Sequence, residues 1–155
     1  MQKFYTAFIL LMTISCSAPD QTAPKSAIDI AAELEAIEAT RSNFATALKE
    51  GRFKDTGKYV TGDISTVIPA SKGWLEMYAL GKERGRVPYD SIIMTPIETY
   101  IMNDSMAYDF GTSQVYYTNE EGDVVELQDT FLAILKKENG VWKLHREVAS
   151  GNPVR

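Results

Sequence analysis

One cysteine and one histidine in 155 residues exclude several kinds of chemistry at the outset. With Cys16 alone, no disulfide can form within the chain. Cys16 and His145 cannot assemble an ordinary zinc site, and no Walker, dinucleotide or Gly-x-Ser-x-Gly fingerprint occurs anywhere. No metal and no cofactor are therefore assigned. Basic residues are also scarce: 16 Lys and Arg stand against 21 Asp and Glu, a net charge of −5. That balance speaks against nucleic acid as a partner and against attraction to anionic lipid. No apolar run reaches the roughly 20 residues that a membrane helix needs.

The apolar run that does occur is at the start. Residues 4–14, broken only by Thr6 and Thr13, follow Lys3 and suit the apolar core of a signal peptide. The run ends in Thr13-Ile14-Ser15-Cys16, which resembles a lipobox, the site where the signal is cut before a cysteine that receives lipid. Leu is more usual than Thr three residues before that cysteine. The alternative is a plain secretory signal cut nearby, leaving a free thiol. Residues 17–25 hold two prolines and no large apolar side chain, so they cannot bury enough surface to offset ordering. The expected organisation is a signal over 1–15, a lipid anchor and flexible tether over 16–25, and one domain over 26–155. In lipoproteins of Gram-negative bacteria, Asp after the lipidated cysteine tends to retain the protein at the inner membrane. Ser17 in that place implies the periplasmic side of the outer membrane, with the acyl chains as the only membrane contact.

Within the domain, Ser26 and Asp29 form a capping-box arrangement, and Ile30, Leu34, Ile37, Phe44 and Leu48 then fall on one helical stripe closed by Gly51. A short helical piece over 53–59 follows. The β-branched stretch 63–68 stops at Pro69 and reads as a strand. Ser71 opens another helix, running to about Glu83, with Trp74, Met77 and Tyr78 on one face. Four β-favouring runs, 92–102, 106–118, 124–137 and 141–149, are separated by turn clusters. Asn139-Gly140 between the last two is a hairpin signal. Consecutive strands with short turns make an antiparallel meander, and helices gathered on one side of it make an α+β domain.

This element order resembles the nuclear-transport-factor-2-like superfamily, a cone in which a curved antiparallel sheet wraps a long first helix in a cystatin-like arrangement. Three stretches carry the resemblance: Ala47-Leu48-Lys49-Glu50-Gly51-Arg52-Phe53, Ser105-Met106-Ala107-Tyr108-Asp109-Phe110-Gly111-Thr112, and the run from Lys137 through Gly140, Val141 and Trp142 to Val148. They are most similar to the bacterial branch known as domain of unknown function 4440, related to ketosteroid isomerase and the SnoaL-like polyketide cyclases. Arg52 stands where many members have Asp, and the final strand carries Glu147 beside Arg146. The resemblance identifies a fold better than an activity.

Arg41 lies between Ile37 and Phe44 on the stripe that faces the sheet. A buried guanidinium needs a carboxylate or several carbonyls, so Arg41 either forms a cationic pocket floor, free for a ligand or paired with Glu147 or Asp109, or packs its stem and sends its head to water. His145 and Glu147, two apart on the last strand, share one face by simple alternation, while Trp142, Leu144 and Val148 share the other. The apolar side then reads as core and the His/Glu side as solvent. On a cone the concave face is divided between core and pocket, and there a His and a carboxylate could act as base and orienting partner. Tyr59, Trp74, Tyr78, Tyr108 and Tyr116 line a pocket or pack a core, and Gln128 marks the cone's mouth or a solvent edge.

Three functions are open on these grounds. The leading one is binding of a small apolar or aromatic molecule without chemistry. The second is an isomerase or dehydratase with Glu147 or His145 as base and Tyr108 or Arg41 stabilising an enolate. The third is a homodimeric interaction module using the outer face of the sheet.

Overall fold

A computed structural model describes residues 28–151. The signal segment, Cys16, the tether and Ser26 lie outside the described residues. The elements run in the order α1 (Ile30–Lys49), a 3-10 helix (Phe53–Tyr59), β1 (Val60–Val67), α2 (Lys72–Arg84), β2 (Ser91–Ile101), β3 (Met106–Thr118), β4 (Val124–Glu138) and β5 (Val141–Gly151). Asp29 is the N-cap of α1 and accepts from the Ala32 amide at 3.1 Å. It satisfies one of the orphan donors that every helix start leaves. Ile30 at the head of the expected stripe stays half exposed, whereas Ile37 and Leu48 are buried. Among the described residues no helix is long and apolar enough to cross a membrane.

The fold is α+β. Its curved sheet has the order β1-β5-β4-β3-β2, and β2 to β5 form the expected antiparallel meander. β1 starts at Val60, earlier than the β-branched run suggests, and joins the far edge parallel to β5. Asn139 and Gly140 both take positive φ, 52° and 80°, as the tight turn between β4 and β5 requires. Edge strand β2 tolerates Pro96 because no ladder bond is needed on its open side. It bulges between Pro96 and Glu98. At this point only a glycine fits on β3: a Cβ on Gly111 would lie 2.4 Å from the Thr95 carbonyl oxygen.

Both helices cover the same face of the sheet, at opposite ends. At one end Ile37 of α1 packs with Ile101, Ala107, Leu135 and Trp142. Glu33 fixes that end by accepting from the Trp142 indole N–H at 2.7 Å and pairing with Lys137 at 2.6 Å. At the other end Trp74, Met77 and Leu80 of α2 pack with Val115 and Tyr117. Between the two apolar clusters the inward residues of β3 and β4 turn polar. Asp109 and Ser113 separate Ala107 from Val115, and Asp129 lies two positions from Phe131, all three polar groups buried.

Candidate functional site

A cavity of about 80 Å³ opens over this polar belt. Its walls include Phe44, Tyr59, Tyr89 and Phe131, and its polar groups are Thr40, Arg41, Asp109, Ser113 and Glu147. Roughly 300 Å³ is the lower end for drug-sized ligands, so the space suits a small molecule. Among the described residues no acidic, His or Cys grouping could hold a metal ion.

Glu147 reaches the cavity because β5 does not alternate regularly. Leu135 pairs with Leu144 but Ile134 pairs with Arg146, so His145 is an extra residue in the strand. Such a bulge re-aims every side chain beyond it. The face expected to carry Trp142, Leu144 and Val148 carries Trp142, Leu144 and Glu147 instead. Val148 moves to the outer surface, where it is 55% exposed. The expectation that His145 and Glu147 share a face is thereby corrected. His145 turns toward the β1 edge, with Nδ1 3.1 Å from the Thr61 hydroxyl and 3.3 Å from Asp63.

Arg41 is largely buried and engaged on three sides. Nη1 donates to Glu38 at 2.6 Å, Nη2 donates to Thr99 at 3.3 Å, and Nε lies 3.2 Å from Asp109 Oδ2. The Nε contact is an ion pair without hydrogen-bond alignment. Thr99 also donates to Asp109 at 2.8 Å. Of the two readings of Arg41, the structure combines burial with pairing: the guanidinium lines the cavity, and Asp109 and Glu38 hold its charge. Burial pushes the Asp109 carboxyl above its ordinary range, outweighing the opposite pull of Arg41 and Thr99.

Glu147 differs from Asp109 in having no hydrogen-bond donor among the described residues. Burial, aided by the charge of Asp129, pushes its carboxyl up to about 7. Asp129 is itself raised by burial and accepts a short hydrogen bond from the Ser113 hydroxyl. The Tyr78 hydroxyl is pushed up to about 12 and that of Tyr89 well above the usual phenol range, in both cases by burial first and the Glu147 charge second.

Of the residues singled out from sequence, Arg41, Tyr59 and Glu147 meet in the cavity. The others are elsewhere. Trp74 and Tyr78 belong to the α2 cluster. Tyr108 faces outward on β3 and stacks on Tyr100 at 5.5 Å between centroids. Tyr116 pairs across the ladder with Glu126 and Gln128 with Gln114, all in the same outward set, and Gln128 donates to Glu126 at 2.9 Å. These three point away from the cavity because odd positions of β3 and β4 face in. Phe44, Tyr89, Ser113 and Asp129 lie outside the site expected from sequence, and Asp109 belongs to it only as one of the two carboxylates expected to pair with Arg41. Asp109 and Ser113 had a readable signal: they are polar interruptions in the inward row from Ala107 to Tyr117.

The raised Glu147 carboxyl sets a sign for pH dependence. A carboxyl whose folded value exceeds its unfolded value of about 4.5 favours folding most below that value, and the contribution is lost as pH rises toward 7. The melting temperature should therefore fall between pH 4.5 and 7, and Glu147→Gln should flatten the upper part of that fall. Asp109 and Asp129 act in the same direction and should leave a residual slope in the variant. A scan of melting temperature against pH that is identical for both proteins would contradict the assignment.

No family model and no curated protein matches the chain. Solved structures do. A ketosteroid isomerase-like protein from Erwinia carotovora atroseptica superposes with a TM-score of 0.57 at 20% identity, over 79% of this chain and 98% of that one. An NTF-2 like protein of unknown function from Shewanella oneidensis gives 0.57 at 14% identity, over 76% and 98%. A putative Ca/calmodulin-dependent kinase II association domain from Exiguobacterium sibiricum gives 0.61 at 11% identity, over 83% and 100%. With two helices on one face of a curved five-stranded sheet and these structural likenesses, the chain has the nuclear-transport-factor-2-like fold.

Proposed function

We propose that this protein binds a small, mostly apolar molecule in its concave-face cavity and performs no chemistry on it. The observation that carries the reading is Glu147: a carboxyl turned into an aromatic-walled space with no donor among the described residues, and so available to a ligand. An isomerase or dehydratase would need a second group to stabilise developing negative charge. His145 and Tyr108 stand outside the cavity, and the charge of Arg41 is committed to Asp109 and Glu38. A likeness to a ketosteroid isomerase-like protein at 20% identity extends to the fold and not to an activity. In a thermal-shift screen of small aromatic and branched aliphatic compounds, a ligand at a hundredfold excess over its Kd should add about 2.7 kcal/mol, several degrees for a domain of this size. Silence across the whole screen would refute the reading.

We further propose that the domain works at the cell envelope, held by lipid on Cys16, on the periplasmic side of the outer membrane. The apolar run 4–14 ending before Cys16 supports this. Metabolic labelling with a fatty-acid probe should mark the wild-type chain and leave Cys16→Ser unlabelled. Equal labelling of the two would exclude the anchor.

A second use of the domain is pairing with another copy through the outer face. Val67, Val148, Leu132 and Phe110 are successive cross-strand neighbours and are 37–59% exposed. A contiguous apolar row of this kind marks an interaction surface, and the Exiguobacterium structure bears the name of an association domain. Light scattering should give a dimer that Leu132→Asp converts to a monomer. A wild-type monomer would end this reading.

A further inference from the structure

The cavity's charges do not balance, and the imbalance points to a class of ligand. Arg41 is the one cationic side chain among its lining residues, facing Asp109 and Glu147. Asp109 and Glu38 lie at 3.2 and 2.6 Å from that guanidinium, which leaves Glu147 without a counter-charge. The groups facing Glu147 from neighbouring elements do not supply one. Asp129 on β4 is acidic, and Tyr78 of α2 and Tyr89 before β2 carry hydroxyls held in their neutral form. Tyr59 is the remaining titratable residue of the wall. An ionised carboxylate in a partly dry site without a partner is costly unless a cation arrives.

The rest of the wall is built for the same purpose. Phe44 stands edge-on to Tyr59 at 90°, with centroids 6.4 Å apart, and at 65° to Tyr89, 6.5 Å away. Phe44 thus meets each tyrosine edge to face rather than in a stack, and all three rings line the one cavity. Ring faces attract ammonium groups, and aromatic cages closed by a carboxylate discriminate them from neutral molecules of the same shape. The interior of about 80 Å³ limits the guest to a compact head group.

We propose that the ligand is a small organic cation, its ammonium group held between the Phe44, Tyr59 and Tyr89 rings and the Glu147 carboxylate. This rests on the small-molecule-binding reading and adds the charge of the ligand to it. Binding strengthens as pH rises through 7, because only the ionised Glu147 neutralises the guest.

The test is a calorimetric titration of the full chain with tetramethylammonium and benzylammonium, set against the neutral tert-butanol and benzyl alcohol. At pH 8 each cation should bind at least tenfold more tightly than the neutral compounds. The preference should shrink at pH 5.5 and shrink to the same extent in Glu147→Gln, the rings alone sustaining what is left. Phe44→Leu keeps an apolar wall but removes a ring face, and should weaken tetramethylammonium about fivefold while changing tert-butanol far less. Neutral compounds binding as well as cations, or a cation preference undiminished in Glu147→Gln, would overturn the cation proposal and leave a binding pocket standing. Absence of binding by all four compounds and by the broader screen would overturn both.

Discussion

The extra residue at position 145 in β5 is the constraint on which the site depends. A strand that alternates without interruption carries each side chain to a face decided by parity alone. His145 breaks that parity next to Leu144, and the residues that follow to the end of the strand exchange faces. Glu147 enters the concave side and Val148 leaves it. Both consequences matter: one puts a carboxyl in the cavity, and the other completes an apolar row across the outer surface. A bulge is an inexpensive way to achieve this, since the ladder resumes at once on either side.

The cavity exists because two helices cover one sheet without meeting over its middle. Each helix brings its own apolar cluster, and the inward rows of β3 and β4 are apolar where a helix covers them and polar between. Burying Asp109, Asp129 and Glu147 in that interval is unfavourable for each of them, as their upward shifts record. Arg41 and Thr99 offset part of the cost for Asp109, and Ser113 does so for Asp129. Among the described residues Glu147 receives no such compensation. A group left uncompensated inside an otherwise satisfied structure is where a ligand has most to contribute.

Structural neighbours at 11% and 20% identity share this frame while bearing names as different as an association domain and an isomerase-like protein. In this chain the two apolar clusters and the hydrogen-bonded sheet hold the frame, the cavity lies between the clusters, and the apolar row lies on the outer face. What sets this chain apart is therefore Arg41, Asp109, Glu147 and the three rings, and not the fold.

Much of the architecture follows from the sequence by itself. The stripe through Ile37 and Leu48, the β-favouring runs, and Asn139-Gly140 determine helices, strands and a hairpin, because periodicity and turn chemistry are local properties. The same locality made Arg41 conspicuous as a charge on an apolar stripe, and Asp109 readable as a polar break in an inward row. Tertiary structure alone decided where β1 joins the sheet, since a parallel partner is not marked by any adjacent turn. It alone decided the partner of Arg41, which is brought from 68 residues away in β3. Above all it decided the direction of Glu147. A bulge is set by how β4 and β5 fit against each other and against the helices, and no residue in 141–149 announces it. The face on which a strand residue lies depends on every residue of register before it, so a single displaced partner reversed the assignment on which the site turns.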